Sequence, residues 1–283
     1  MSEVAVPSRA SAVAEELRKL PAFFRRDLLV MWSYRLAFFT DWLNLLVQIV
    51  VFFFVSRLVD PSKIPSFGGT RASYMQFVAI GIAVTSFMQI SLGRVVSAIR
   101  NEQLQGTLEA LLVTPTAPTT IQLGSVLYEL FYVPIRLFIF LGLAWAIFGV
   151  TFQVSGMLPA IAVLVAFIPF VWGLGVLSVA GVLTFRRGAG VVGAGATAFT
   201  ISSGTYFPVG VLPSWVQPLA RANPITVALS AIREALLGGA GWARMWPAIA
   251  VLAPIAVVSV GIGVTAFRLA LRRERRRGTL GLY

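Results

Sequence analysis

The sequence has no cysteine and no histidine. Their absence excludes disulfides, thiolate nucleophiles, Cys/His zinc sites and histidine general bases. Lysine is almost missing: Lys19 and Lys63 are the two present, and neither follows a glycine. No G-x-x-x-x-G-K-[ST] loop can be drawn, so the chain carries no P-loop nucleotide hydrolase of its own. Charge is scarce as well. Charged residues make up 12% of the 283 positions, against roughly 25% in an ordinary soluble domain.

Apolar bulk takes the place of charge. Hydrophobic residues reach 58%, and the mean hydropathy is +0.85. So few polar groups cannot cover a water-facing surface, and a bilayer is the expected solvent. A net charge of +12 would point to nucleic acid in a soluble protein. Here the basic residues cluster between and beyond the apolar runs, which argues for membrane orientation, and no nucleic-acid partner is expected. The 21 Arg against 2 Lys fit GC-rich coding and a bacterial cell membrane.

Crossing a hydrocarbon core of about 30 Å takes about 20 mostly apolar residues. Six runs qualify: Leu36–Leu58, Tyr74–Val96, Thr120–Phe148, Pro159–Phe185, Gly188–Phe207 and Trp246–Leu269. Pro134 bends or tilts the third. In the fifth, Gly190, Ala194 and Ala198 recur every fourth residue, a pattern that favours close helix packing over lipid contact. Residues 1–35 carry charges throughout, and the first apolar run is too long and too late for a cleavable signal peptide. With a cytoplasmic N-terminus, 16 of the 23 Arg and Lys fall inside, which places both termini in the cytoplasm.

The expected architecture is all-α: a polytopic membrane protein with six transmembrane helices. Residues 1–35 form a cytoplasmic segment, 36–271 the six-span domain and 272–283 a basic tail. In the first segment Val13, Leu17, Leu20, Phe24, Leu28 and Met31 keep helical spacing, with Arg18, Lys19, Arg25 and Arg26 between them. This is the pattern of an amphipathic helix lying in the interface. The tail packs six arginines and one glutamate into Arg268–Arg277. It reads as an orienting signal, with anionic lipid or a partner as the other reading.

Two polar or broken segments carry more information. Ser97–Thr119 is polar and helical in pattern to about residue 113, with Pro115 and Pro118 ending it. A short amphipathic helix between two spans can serve as a lever. Ser202–Gly241 holds Pro208, Pro213, Pro218 and Pro224, which forbid one continuous helix, yet its side chains are largely apolar. Short helices dipping back into the outer leaflet over about 204–240 satisfy both facts. Within it Ile225–Leu237 reads as a helix stopped by Gly238-Gly239.

Gly106-Thr107-Leu108-Glu109, then Leu111 or Leu112 and Thr114-Pro115, resembles the cytoplasmic signature of type-2 ABC exporter permeases. Gly204-Thr205-Tyr206-Phe207-Pro208, Leu212-Pro213-x-Trp215, Asn223-Pro224-Ile225-Thr226 and Arg233-Glu234 are similar to the family's segment between its last two spans. The resemblance implies one half of a dimeric channel, a homodimer or a pair with a paralogue, surrounded by membrane lipids. Two copies of a separate ATP-binding cassette ATPase would hold ATP and Mg, with no cofactor, metal or catalysis on this chain. It implies that coupling to the ATPase runs through a helix at about 97–113. The positions concerned are Arg100, Asn101, Glu102, Gln105, Gly106, Thr107, Leu108, Glu109, Leu112 and Pro115. Gln105 stands where the family usually places a charge.

Charges and amides inside the spans are costly and mark paths or packing. Glu129 and Arg136 lie two turns apart on the third span. Asn44 and Gln48 share a side of the first, and Gln89 is polar in the second. With Phe52, Tyr206 and Phe207 these are the expected path residues, though ion pairing, polar helix contacts and lipid-facing Phe account for the same pattern. The G-T-L-E-x-L form resembles the drug and lipid exporter branch, which implies an amphipathic drug-like or lipid-like cargo. A polysaccharide or glycolipid exporter of the same family and a non-transporting assembly subunit are the alternatives. A membrane-embedded transferase would need paired acids or a metal cluster, which eleven scattered acids do not supply.

Overall fold

The apolar runs fold as helices, and glycine and proline mark their ends. The structure, a computed structural model, describes residues 18, 20–22, 24–26, 28–29, 33, 35–60, 64–104, 132, 135–184 and 188–277. The described residues between 18 and 33 are helical, with Arg18, Arg25 and Arg26 exposed and Leu20 and Phe24 half-buried. Helix α1 (Arg35–Ser56) follows. A hairpin then pairs β1 (Ser66–Phe67) antiparallel with β2 (Thr70–Arg71). Its two-residue turn is Gly68-Gly69, both at positive φ, as a tight hairpin turn of this hand requires. This hairpin is the one sheet among the described residues.

Helix α2 runs unbroken from Tyr74 to Leu104. Then come α3 (Ile135–Phe148), a 3-10 turn at Val154–Gly156, α4 (Met157–Thr184) and α5 (Gly188–Ser202). A second 3-10 turn at Val209–Val211 leads into the short α6 (Gln217–Ala222), α7 (Pro224–Gly238) and α8 (Trp242–Arg277). The proline-rich segment after α5 is thus broken into short helices, as its composition requires. Asn223 caps α7: its side chain accepts from Ile225 N at 2.9 Å, with Pro224 in the first turn. Gly239 closes the other end in the left-handed region at φ 64°.

Among the described residues two helices are long and apolar enough to cross a membrane, Val154–Val182 and Trp242–Arg273. Trp42–Ser56, Tyr74–Gln89 and Ile135–Phe148 are shorter apolar helices. The first twelve positions of the run Thr120–Phe148 lie outside the described residues. The third apolar run is therefore described at residue 132 and from Ile135 onward, and Pro134 lies outside the described residues.

Helix α7 is the centre of the bundle. Ile225, Ala228, Leu229, Ile232, Ala235 and Leu236 are all buried, packed among α2, α4 and α8. Helices α4 and α8 make the closest crossing. A Cβ on Gly263 would sit 2.5 Å from Gly173 O, and one on Gly173 would sit 2.6 Å from Val260 N. Only glycine lets the two backbones approach this far. Ser259 Oγ donates to Phe170 O at 3.1 Å across the same crossing. The small-residue ladder of α5 behaves otherwise. Ala194 and Ala198 are exposed, and a Cβ on Gly195 would meet nothing within 4 Å. That face is not packed against the described part of this chain.

Candidate functional site

Polar side chains from four helices converge on one cavity. Helix α1 supplies Asn44 and Gln48, α2 supplies Thr85, Ser86 and Gln89, α3 supplies Arg136 and α5 supplies Thr200. With Leu45 and Tyr206 they line a cavity of about 320 Å³. The spacing explains the convergence. Asn44 and Gln48 are one turn apart, as are Thr85 and Gln89, so each helix presents a single polar stripe.

The hydroxyls are partly committed to their own helices. Thr85 Oγ1 donates to Gly81 O at 2.8 Å, and Thr200 Oγ1 donates to Ala196 O at 2.9 Å. Gln89 Nε2 reaches across to Thr200 Oγ1 at 3.4 Å, linking α2 to α5. Arg136 is 6% exposed, and its guanidinium carbon lies 5.8 Å from the centre of the Trp42 ring, within cation–π range. The aromatic wall is Tyr206 stacked on Phe52, centroids 5.4 Å apart and planes 8° from parallel. The lining is therefore amphipathic: amides, hydroxyls and a guanidinium on one part, rings and Leu45 on another.

Tyr206 is held in place from behind. Tyr74 Oη donates to its carbonyl at 3.1 Å. Ser203 Oγ donates to Thr200 O at 2.7 Å and lies 2.7 Å from Thr205 Oγ1. Arg233, on α7 and 4% exposed, threads into the same corner. Its Nη1 donates to Gly204 O and its Nη2 to Thr205 O, both at 2.9 Å, and its Nε donates to Phe77 O at 3.1 Å. The guanidinium lies 3.4 Å over the Phe77 ring. Carbonyl dipoles and an aromatic face replace water around this cation. The neighbouring acid, Glu234, turns to Arg244 at 2.8 Å instead. Gly81 makes room: a Cβ there would collide with Thr205 O and meet Arg233 Nη2 at 2.8 Å.

The structure thus gathers Asn44, Gln48, Gln89, Arg136 and Tyr206 into one site and brings Phe52 against Tyr206. Phe207 is half-buried beside them but does not line the cavity. Glu129 lies outside the described residues. Arg100, Asn101 and Glu102 fall on the last turns of α2. Gln105, Gly106, Thr107, Leu108, Glu109, Leu112 and Pro115 lie outside the described residues. Among the described residues no group of acids could hold a metal. Sequence reasoning overlooked the hydroxyls of Thr85 and Thr200 and the pinning role of Arg233. The second had a readable signal, because Arg233 stands in register with Leu229 and Leu236 on the apolar side of its helix.

The model of the ABC-2 type transporter family matches residues 18–237, which spans α1 to α7 and every lining residue of the cavity. The chain belongs to that family. No curated protein matches it. As an ABC-2 permease it is a membrane transport component that works with an ATP-binding cassette subunit. The polar cavity lies wholly within the family region, whereas α8 lies beyond it.

Proposed function

We propose that this ABC-2 permease is one half of an exporter path for an amphipathic drug-like or lipid-like molecule. Six spans place both termini in the cytoplasm of a bacterial inner membrane. Two copies of the permease meet, and the exposed small-residue face of α5, with Ala194, Gly195 and Ala198, supports that arrangement. Each copy docks a separate ATPase that binds ATP and Mg. The helix at about 97–113 takes the load through Arg100, Asn101, Glu102, Gln105, Gly106, Thr107, Leu108, Glu109, Leu112 and Pro115.

One observation carries the reading. The helix that lines the cavity with Thr85, Ser86 and Gln89 is the same unbroken helix that reaches Arg100–Glu102. Arg100 comes eleven positions after Gln89 on α2, about 16 Å of rod at 1.5 Å per residue. Movement of the motif end therefore displaces one wall of the cavity. The ATPase supplies bias only through different contacts in its ATP-bound and ATP-free states.

Proteoliposomes holding the permease and its ATPase test the proposal. Asn44→Leu with Gln48→Leu removes two amides from the wall. Loss of two hydrogen bonds to a bound polar group lowers ATP-driven transport of an amphipathic dye or labelled phospholipid by about tenfold. Full transport by the double variant, or failure of the permease to hold any ATPase, defeats the proposal.

A further inference from the structure

The far end of α8 carries arginines that neither the cavity nor the ATPase-coupling segment uses. Arg268, Arg272, Arg273 and Arg276 are exposed. Arg268, Arg272 and Arg276 recur every fourth residue and so share one face. Arg272 and Arg276, three and seven positions after Leu269, continue an exposed apolar stripe, and Arg268 stands about 100° to its side. Val251, Val258, Ile262 and Leu269 are exposed along it at intervals of seven, four and seven residues. The opposite face buries Leu252, Ala256, Phe267, Ala270 and Leu271. Phe267, Ala270 and Leu271 pack with Val176, Val179 and Ala180 of α4. The arginines therefore point away from the bundle, toward whatever surrounds Val258 and Ile262.

Helix length fixes their depth. Trp242 and Trp246 are 49% and 61% exposed at the start of α8, where tryptophan suits a membrane–water boundary. Arg268 comes twenty-two positions after Trp246, a rise of about 33 Å across a hydrocarbon core of about 30 Å. Arg268 therefore reaches the opposite hydrocarbon edge. Arg272 stands about 6 Å farther out, at headgroup depth, and Arg276 about 12 Å farther out. Guanidinium forks match phosphate oxygens.

We propose that Arg268, Arg272 and Arg276 form a docking face for the phosphate headgroup of an anionic phospholipid in the leaflet where α8 ends. The lipid's acyl chains lie along Ile262 and Leu269. The inference needs only the membrane location that family membership supplies, and it stands apart from the proposed cargo. Lipid is favoured over a protein partner because Arg272 and Arg276 directly extend the stripe proposed to meet acyl chains, with Arg268 one turn before Arg272.

The full chain is reconstituted in phosphatidylcholine vesicles doped with spin-labelled phosphatidylglycerol or spin-labelled phosphatidylcholine. The ratio of protein-associated signal between the two labels is then read. The wild-type ratio is expected at roughly fivefold or more in favour of phosphatidylglycerol. Arg268→Gln/Arg272→Gln/Arg276→Gln brings it near one, and the matching lysine triple keeps most of it. Arg273, Arg275 and Arg277 remain in the glutamine variant as orienting charge. Gly278→Cys in this cysteine-free chain, labelled by an impermeant maleimide, verifies the orientation. A wild-type ratio near one overturns the proposal, and so does a glutamine triple that is correctly oriented and still selective. Displacement of the lipid signal by free glycerol phosphate overturns the membrane source. Loss of the ATPase from the purified complex with an unchanged lipid ratio assigns the face to protein docking instead.

Discussion

Arg233 holds a full charge inside the bundle on three backbone carbonyls and the face of Phe77. Removing it leaves Gly204 O and Thr205 O without those donors in a buried corner. Arg233→Met is therefore expected to cost about 3 kcal/mol, because a buried acceptor stripped of its partner bears its full desolvation cost. Lysine keeps the charge but offers no planar fork, so Arg233→Lys recovers only part of the loss. Thermal unfolding in detergent checks the order wild type, lysine, methionine, and a methionine variant as stable as wild type refutes the pin. Gly81→Leu attacks the same corner from α2, since its side chain meets Thr205 O and Arg233 Nη2. At this scale the polar residues of the cavity were readable because an amide or a guanidinium in an apolar run stands out. Asn44, Gln48, Gln89 and Arg136 all reach the cavity. Thr85 and Thr200 were harder to read, because a hydroxyl that back-bonds to its own helix looks ordinary in any span.

Small residues tell where backbones can approach, but not which helix arrives. Sequence pattern pointed to Gly190, Ala194 and Ala198 on α5 as a packing ladder, yet Ala194 and Ala198 are exposed within this chain. The tight crossing is between α4 and α8, where Gly173 fits against Ser259, Val260 and Gly263. Ser259 and Gly263 are four apart, the small-xxx-small spacing of close membrane helices. Two substitutions on one helix separate crossing from lipid contact. Gly263→Leu inserts a side chain where a Cβ already falls 2.5 Å from Gly173 O. The cost is about 3 kcal/mol or outright failure to fold. Gly261→Leu points into open space, with nothing within 4 Å of its Cβ. It should melt within about 0.5 kcal/mol of wild type, like other surface changes away from special features. Equal stability of the two variants, by thermal unfolding or by elution as a single species, contradicts the crossing. Helices α4 and α8 were legible from hydrophobic length alone. The break before α7 came from prolines that forbid one long helix, and its end from Gly238-Gly239, both strong local signals.

Across the whole molecule, α2 is the element that ties the cavity to the motif. Its 31 residues span about 46 Å, from Tyr74, which holds Tyr206, to Leu104, one residue before Gln105. Sequence alone divided this stretch into a span and a separate cytoplasmic helix, because the change from apolar to polar composition near Ser97 looks like a boundary. Composition reports the solvent, not the backbone, and in the structure the helix crosses that change without a break. A continuous rod transmits displacement, whereas a hinged one absorbs it. Ser97→Pro removes a backbone donor between cavity and motif and clashes with the preceding turn, at about 3 kcal/mol in a helix interior. Ser97→Ala keeps the helix. With the ATPase bound, the alanine variant should transport as wild type does. The proline variant should still hold the ATPase and hydrolyse ATP, but transport should fall by more than about tenfold and hydrolysis should no longer respond to cargo. Gly106→Trp, placed in the motif itself, should weaken ATPase binding instead. Transport by Ser97→Pro at the wild-type rate would mean that motion reaches the cavity by a route other than α2.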